Sequence, residues 1–110
     1  MRGNTIGELE ELVLLAVGSA YDQAYAVVIL NVIKENTSRV LDVTAIHSVL
    51  RRLEQKGFVK SSMGGATSER GGRRKRFFTL TKSGRLVLDE IMTVRSSLYN
   101  KLPKVTFASI

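Results

Sequence analysis

Leu9, Leu12, Val13, Ala16 and Val17 recur at helical spacing behind Thr5 and Glu8, a pair spaced as a capping box. The pattern predicts a first helix from about Ile6 to Val17, stopped by Gly18. Leu14 and Leu15 fall off that stripe, so the helix is apolar on more than one side, as suits a central helix or one shared with a second subunit. A second helix, from about Gln23 to Glu35 with Asp22 as its cap, turns Tyr25, Val28, Ile29, Val32 and Ile33 inward; Lys34 to Ser38 reads as a turn.

Val40 and Leu41 suit a very short strand before Asp42, which is placed to cap a third helix with Ile46, Val49, Leu50 and Leu53 facing the core. Gly57 closes that helix as a C-terminal cap. The helical period then puts Val43, Thr44, His47, Ser48, Arg51, Arg52 and Gln55 outside or at the flank, as a candidate reading face. Phe58 to Met63 and Lys75 to Leu80 have β composition, with Gly64, Gly65, Gly71 and Gly72 between them, so an antiparallel hairpin with a long tip is expected. Thr81 starts a fourth helix whose Val87, Leu88, Ile91, Val94, Arg95, Leu98 and Leu102 keep close to a heptad stripe until Pro103. A long terminal helix with a narrow apolar seam has little of its own domain to cover it, so the seam is expected to meet its copy in a second chain.

Charge changes this picture of an ordinary small helical domain. Residues 1–50 hold 3 basic and 6 acidic side chains, residues 51–85 hold 11 and 2, and the remainder 3 and 2. The net charge of +7 therefore belongs to one segment. It is densest in ERGGRRKRFFTL, residues 69–80, where cations crowd around two glycines and run into an aromatic strand. A concentrated cationic block makes a local field that gathers an anionic partner, and a helix followed by a basic hairpin is the order of a winged helix-turn-helix. The expected fold is mainly α with a small β-hairpin: a winged helix DNA-binding domain over residues 1–80, a C-terminal dimerisation helix over 81–103 and a tail over 104–110.

Other classes fall away. The chain has no cysteine, which removes disulfides, thiolate metal sites and a cysteine nucleophile. Its lone histidine adjoins no carboxylate or nucleophile motif, and no phosphate-loop glycine pattern follows a strand, so no catalytic residue, cofactor or metal is expected. Apolar runs such as Leu12 to Val17 are far below the roughly 20 residues that span a bilayer, and the N-terminus lacks the basic-then-apolar order of a signal peptide. No membrane partner and a cytoplasmic location are expected.

The segments GELEELVLLAV, AYAVVILNVI, VLDVTAIHSVLRRLEQKGFV and SERGGRRKRFFTLTKSGR together resemble the PadR-like family of bacterial transcriptional regulators, over nearly everything from Gly7 to about Leu88. The most specific part is LRRLEQKGFV running into RGGRRKRFFTLTKSGR. The resemblance implies a homodimer that binds a pseudo-palindromic operator and represses, in a short form with one C-terminal dimerisation helix. It also implies a hydrophobic or aromatic small-molecule effector held between subunits. Two departures stand out: Tyr25-Ala26 where the family usually has Tyr-Gly, and His47 where it usually has a tyrosine.

The residues expected to meet double-stranded DNA are Thr44, His47, Ser48, Arg51 and Arg52 on the third helix and Arg70, Arg73, Arg74, Lys75 and Arg76 on the wing. Each has a plainer reading beside it: a solvated loop for the wing cations, an ordinary charged helix surface for the arginines and hydroxyls, and a core or pH-sensitive histidine for His47. Leu9, Leu12, Leu15, Leu88, Ile91, Met92, Arg95, Leu98, Tyr99 and Leu102 are expected at the dimer interface, or simply in the core. The competing functions are a winged-helix protein-interaction module and a nucleic-acid coating protein indifferent to sequence.

Overall fold

The computed structural model describes residues 6–64, 75–105 and 108. Four helices and one hairpin follow in the order α1 (Glu8–Ala20), α2 (Ala26–Asn36), α3 (Val43–Gln55), β1 (Val59–Met63), β2 (Arg76–Leu80) and α4 (Lys82–Tyr99), with a 3₁₀ turn, Tyr21–Gln23, between α1 and α2. The fold class is the one expected from sequence. Val13, Leu14, Ala16 and Val17 of α1 meet Ile29 and Ile33 of α2, Ile46, Val49, Leu50 and Leu53 of α3, Phe58, Val59, Phe78, and Val87 and Leu88 of α4 in one core.

The buried side of α1 is rotated from the expected stripe. Leu14 is wholly buried, whereas Leu9 and Leu12 are half-buried and Leu15 looks outward. The helix also starts and ends later than expected. Gly7 is its N-cap, with its N–H bonded to the Glu10 carboxylate at 2.8 Å; Thr5, the expected cap, lies outside the described residues. Gly18 does not stop α1, because its missing side chain serves packing instead: a Cβ there would lie 3.0 Å from Leu80 Cδ1. The chain leaves the helix at Tyr21, whose φ of +52° takes it into the left-handed region.

That exit moves the start of α2. Asp22 lies in the 3₁₀ turn rather than at a helix cap, and Tyr25, extended at φ −114°, is the residue before the first turn. An extended N-cap suits any L-residue, so a glycine beside Tyr25 is not required for this path; Ala26 packs there, buried. Val40 and Leu41 form no strand, since no described segment pairs with them and Val40 is 98% exposed.

The third helix and the hairpin agree closely with expectation. Asp42 Oδ1 accepts from the Ala45 N–H at 2.9 Å, and only Ile46, Val49, Leu50 and Leu53 are buried on α3. Gly57, at φ +82°, closes it, with the Phe58 N–H reaching back to the Leu53 carbonyl at 3.0 Å. β1 and β2 pair antiparallel in the register Val59↔Leu80 to Met63↔Arg76. Thr81 caps α4 through its hydroxyl, which accepts from the Gly84 N–H at 3.0 Å and donates to the Gly57 carbonyl at 2.6 Å. The helix ends at Tyr99, ahead of Pro103, with turn bonds continuing to Leu102. Its first two turns share the protomer's core through Val87 and Leu88, so Thr81 separates elements but not cores; from Thr93 onward every α4 residue is exposed.

Candidate nucleic-acid interface

The apolar positions of α3 leave one continuous outer face. Thr44, His47, Ser48, Arg51 and Arg52 are all exposed on it, as the helical period requires once Ile46, Leu50 and Leu53 point inward. His47 is exposed, and among the described residues no group of histidine and acidic side chains is placed to hold a metal.

The hairpin brings cations to the same region because its side chains alternate between two faces. Arg76 and Phe78 share the face toward α3. Phe78 is buried, and Arg76 lines a mainly polar cleft of about 290 Å³ with His47, Arg51 and Glu54. The Arg76 guanidinium donates to Ser61 Oγ at 3.0 Å, and Ser61 is fixed by Glu54, whose Oε2 accepts from its hydroxyl at 2.8 Å and its N–H at 3.3 Å. Lys75 and Phe77 share the other face and meet Tyr25. The Tyr25 and Phe77 rings pack edge-on at 5.4 Å between centroids, and Lys75 Nζ lies 4.3 Å from the Tyr25 ring centre and 3.2 Å from its hydroxyl. The base of the wing is thus fastened on one side to α3 and on the other to the start of α2. Arg70, Arg73 and Arg74 lie outside the described residues.

Arg51 and Arg52 differ in their surroundings. Arg51 opens on the cleft beside Arg76. Arg52 turns back, with Nε 3.5 Å from Glu10 Oε2 and a terminal nitrogen 3.3 Å from Ser48 Oγ. Glu10, only 7% exposed, also receives Lys56 Nζ at 3.0 Å on each oxygen. Burial pushes the Glu10 carboxyl up, but the Gly7 N–H bond, the Lys56 bond and charge, and the Arg52 charge together outweigh it and hold the group below its ordinary value. This carboxylate escaped the sequence reading because the assumed stripe ran through Leu9 and Leu12. A stripe phased on Val13, Leu14 and Val17 would have turned Glu10 inward.

The residues expected at a dimer interface separate into two groups. Leu88 is 6% exposed, in the core, and Ile91 and Met92 are half-buried. Arg95 is exposed and pairs with Glu11 of α1 at 2.8 Å. Leu98, Tyr99 and Leu102 stand 62%, 73% and 55% exposed, and Leu12 and Leu15 line an apolar groove with Val32 and Ile33.

Three helices with the third exposing one face, followed by a hairpin, define a winged helix-turn-helix. Solved structures of PadR-like regulators are similar to it in fold. A PadR family transcription regulator from Clostridium difficile R20291 superposes with a TM-score of 0.71 at 23% identity, over 86% of this chain and 93% of that one. A PadR-like transcription factor from Bacteroides fragilis gives 0.70 at 22% identity, over 84% of each chain. PadR of Bacillus subtilis, solved in complex with operator DNA, gives 0.63 at 16% identity, over 86% of this chain and 60% of that one. No protein-family model matches the sequence, and no curated protein does.

Proposed function

We propose that this protein is a PadR-like transcriptional regulator that binds double-stranded DNA as a homodimer, reads a pseudo-palindromic operator and represses. The observation that carries the reading is the alignment of the exposed α3 face, Thr44 to Arg51, with Arg76 across one polar cleft and Lys75 at the wing base. A helix presenting short hydroxyls, an imidazole and an arginine fits a major groove, where such groups reach base edges and phosphates. The adjoining wing cations suit phosphates or a narrow minor groove. The likeness to an operator-bound PadR favours the same use of the fold.

The exposed Leu98, Tyr99 and Leu102 of α4 and the α1–α2 groove supply the apolar surface for a second copy. Two α3 helices would then enter successive major grooves, with half-sites about 34 Å apart. A hydrophobic or aromatic effector acting at the apolar surface between the copies completes the reading. No described helix is long and apolar enough to cross a membrane.

The test is fluorescence anisotropy with DNA from the region upstream of the coding sequence, scrambled DNA as control, and salt varied. Preferential binding of the upstream fragment, weakened on all sequences by Arg76→Ala and altered in preference by Arg51→Ala, is the expected result. Equal binding to both fragments would indicate a coating protein, and none at low salt would end the DNA-binding reading.

A further inference from the structure

Among the described cations of α3 and its C-cap, Arg52 and Lys56 are both answered by an anion from inside the protein, and Arg52 is the one of the two that also reaches the outer face of α3. Its guanidinium spans from the buried Glu10 of α1 to Ser48 on the reading face, and Lys56 closes the other side of the same carboxylate. Glu10 is itself fixed, because its Oε1 accepts from the Gly7 N–H that begins α1. Its neighbours in the first turn point elsewhere: Glu8 pairs with Arg39, ahead of α3, and Glu11 with Arg95 of α4. A carboxylate in this position is a fixed competitor for any phosphate that approaches Arg52.

We infer that Glu10 is a positioning residue for DNA recognition: it holds Arg52 against Ser48 and keeps that charge from general phosphate binding, so Arg52 serves discrimination rather than affinity. Two features of the geometry give this its direction. The Arg52 side chain is half exposed, so it would reach a phosphate if released, whereas Glu10 is nearly enclosed and cannot follow it. Ser48 Oγ, bonded to the arginine, is held as an acceptor-engaged hydroxyl on the face that meets base edges. Arg51, one position earlier and turned to the Arg76 cleft, has no such internal anion among the described ion pairs and is left to attract DNA.

The inference rests on the DNA-binding reading, and its test separates the two. Binding of the full-length native protein, Glu10→Gln, Arg52→Gln and the double variant is measured on upstream and scrambled DNA across a salt series. Releasing one cation to one phosphate steepens the logarithmic salt dependence on scrambled DNA by about 0.9, or about eightfold tighter binding at 0.1 M salt when the curves are referred to 1 M. Glu10→Gln should show this steepening together with a lower ratio of upstream to scrambled affinity, and the double variant should lose the steepening. Arg52→Gln, which removes a half-exposed side chain and so spares the fold, should leave the scrambled-DNA slope unchanged while lowering the ratio. A slope reduced by about 0.9 in Arg52→Gln would overturn the inference, since Arg52 would already be touching phosphate. Equal weakening of both DNAs by Glu10→Gln, or steepening that persists in the double variant, would overturn it too. If the native protein binds neither DNA at low salt, the DNA-binding reading fails and carries this one with it.

Discussion

Replacing Gly84 by alanine adds a methyl group to the first turn of α4, where helix propensity alone would favour the change by about 1 kcal/mol. The structure reverses the sign. A Cβ at Gly84 would fall 2.1 Å from the Phe58 carbonyl oxygen and 3.0 Å from its carbon, both backbone atoms that no rotamer change can move. Relief requires the start of α4 and the end of the α3–β1 connection to part by roughly 1 Å, as ordinary packing distances demand. Two bonds cross that seam: the Thr81 N–H to the Phe58 carbonyl at 3.1 Å and the Thr81 hydroxyl to the Gly57 carbonyl at 2.6 Å.

Stretching both bonds costs about 0.5–1.5 kcal/mol each, and overpacking adds about 1–3 kcal/mol, against the propensity gain. A net loss of roughly 1–5 kcal/mol follows. At roughly 4 °C per kcal/mol for a chain of this size, the melting temperature should fall by roughly 4–20 °C. The assay is far-ultraviolet circular dichroism during heating, at one protein concentration because the proposed dimerisation would couple stability to concentration. Gly57→Ala is the control: nothing lies within 4 Å of its Cβ, so only the left-handed φ of +82° is penalised, by about 1–2 kcal/mol. A Gly84→Ala protein that melts with the native one or above it would refute the assigned packing of α4 on the α3–β1 connection.

Two further outcomes are expected. Because the folded Glu10 carboxyl titrates below its ordinary value of 4.5, its stabilisation is complete above that value and is lost as pH falls through the lowered folded one. Glu10→Gln should therefore lower the unfolding free energy from urea titration at neutral pH by roughly 1–3 kcal/mol given its partly exposed partners, and the gap to native should narrow below about pH 4.5; a constant gap would exclude the carboxylate as its source. Leu98→Glu, at a site 62% exposed in the single chain, should leave protomer stability within about 0.5 kcal/mol while sedimentation velocity shifts from dimer to monomer; an unchanged dimer would remove α4's outer half from the interface.

The sequence was most legible where one signal had one cause. On α3 the apolar period, the Asp42 cap and the Gly57 stop all coincide, so its boundaries and inward face were correctly anticipated. The β composition of the two hairpin segments and the glycines between them likewise foretold an antiparallel pair. Legibility failed where tertiary contact redirected a local signal. Gly18 carries the composition of a helix stop but answers to Leu80 packing, and Asp22 is a good cap stranded in a turn because Tyr21 adopts a positive φ. On α1 every position from Leu12 to Val17 is apolar, so hydrophobicity could not fix the rotation; the buried Glu10 could, but only to a reader who expected a carboxylate inside. The Tyr25–Lys75 contact joins residues distant in sequence and leaves no local trace.

The same reasoning limits what the basic segment can offer a polyanion. Residues 51–85 carry 11 cations, yet Lys56 and Arg52 share a buried carboxylate and Arg85 pairs with Asp89 at 3.0 Å on α4. The Arg85 pair is exposed and weak, but it stands with Lys82 at the cleft behind β2, beside Val17, Tyr21 and Leu80, whereas the reading face lies on α3. Arg51, Lys75 and Arg76 are left at the α3 face and wing base, the last two tethered by Tyr25 and Ser61, with no ion pair to a carboxylate among the described residues. A tethered cation with no anion of its own keeps its charge for a partner and has already lost the side-chain freedom that binding would otherwise remove. Under the proposed function, a buried carboxylate under one arginine and neutral tethers for the wing cations are two ways of deciding which charges meet the phosphates.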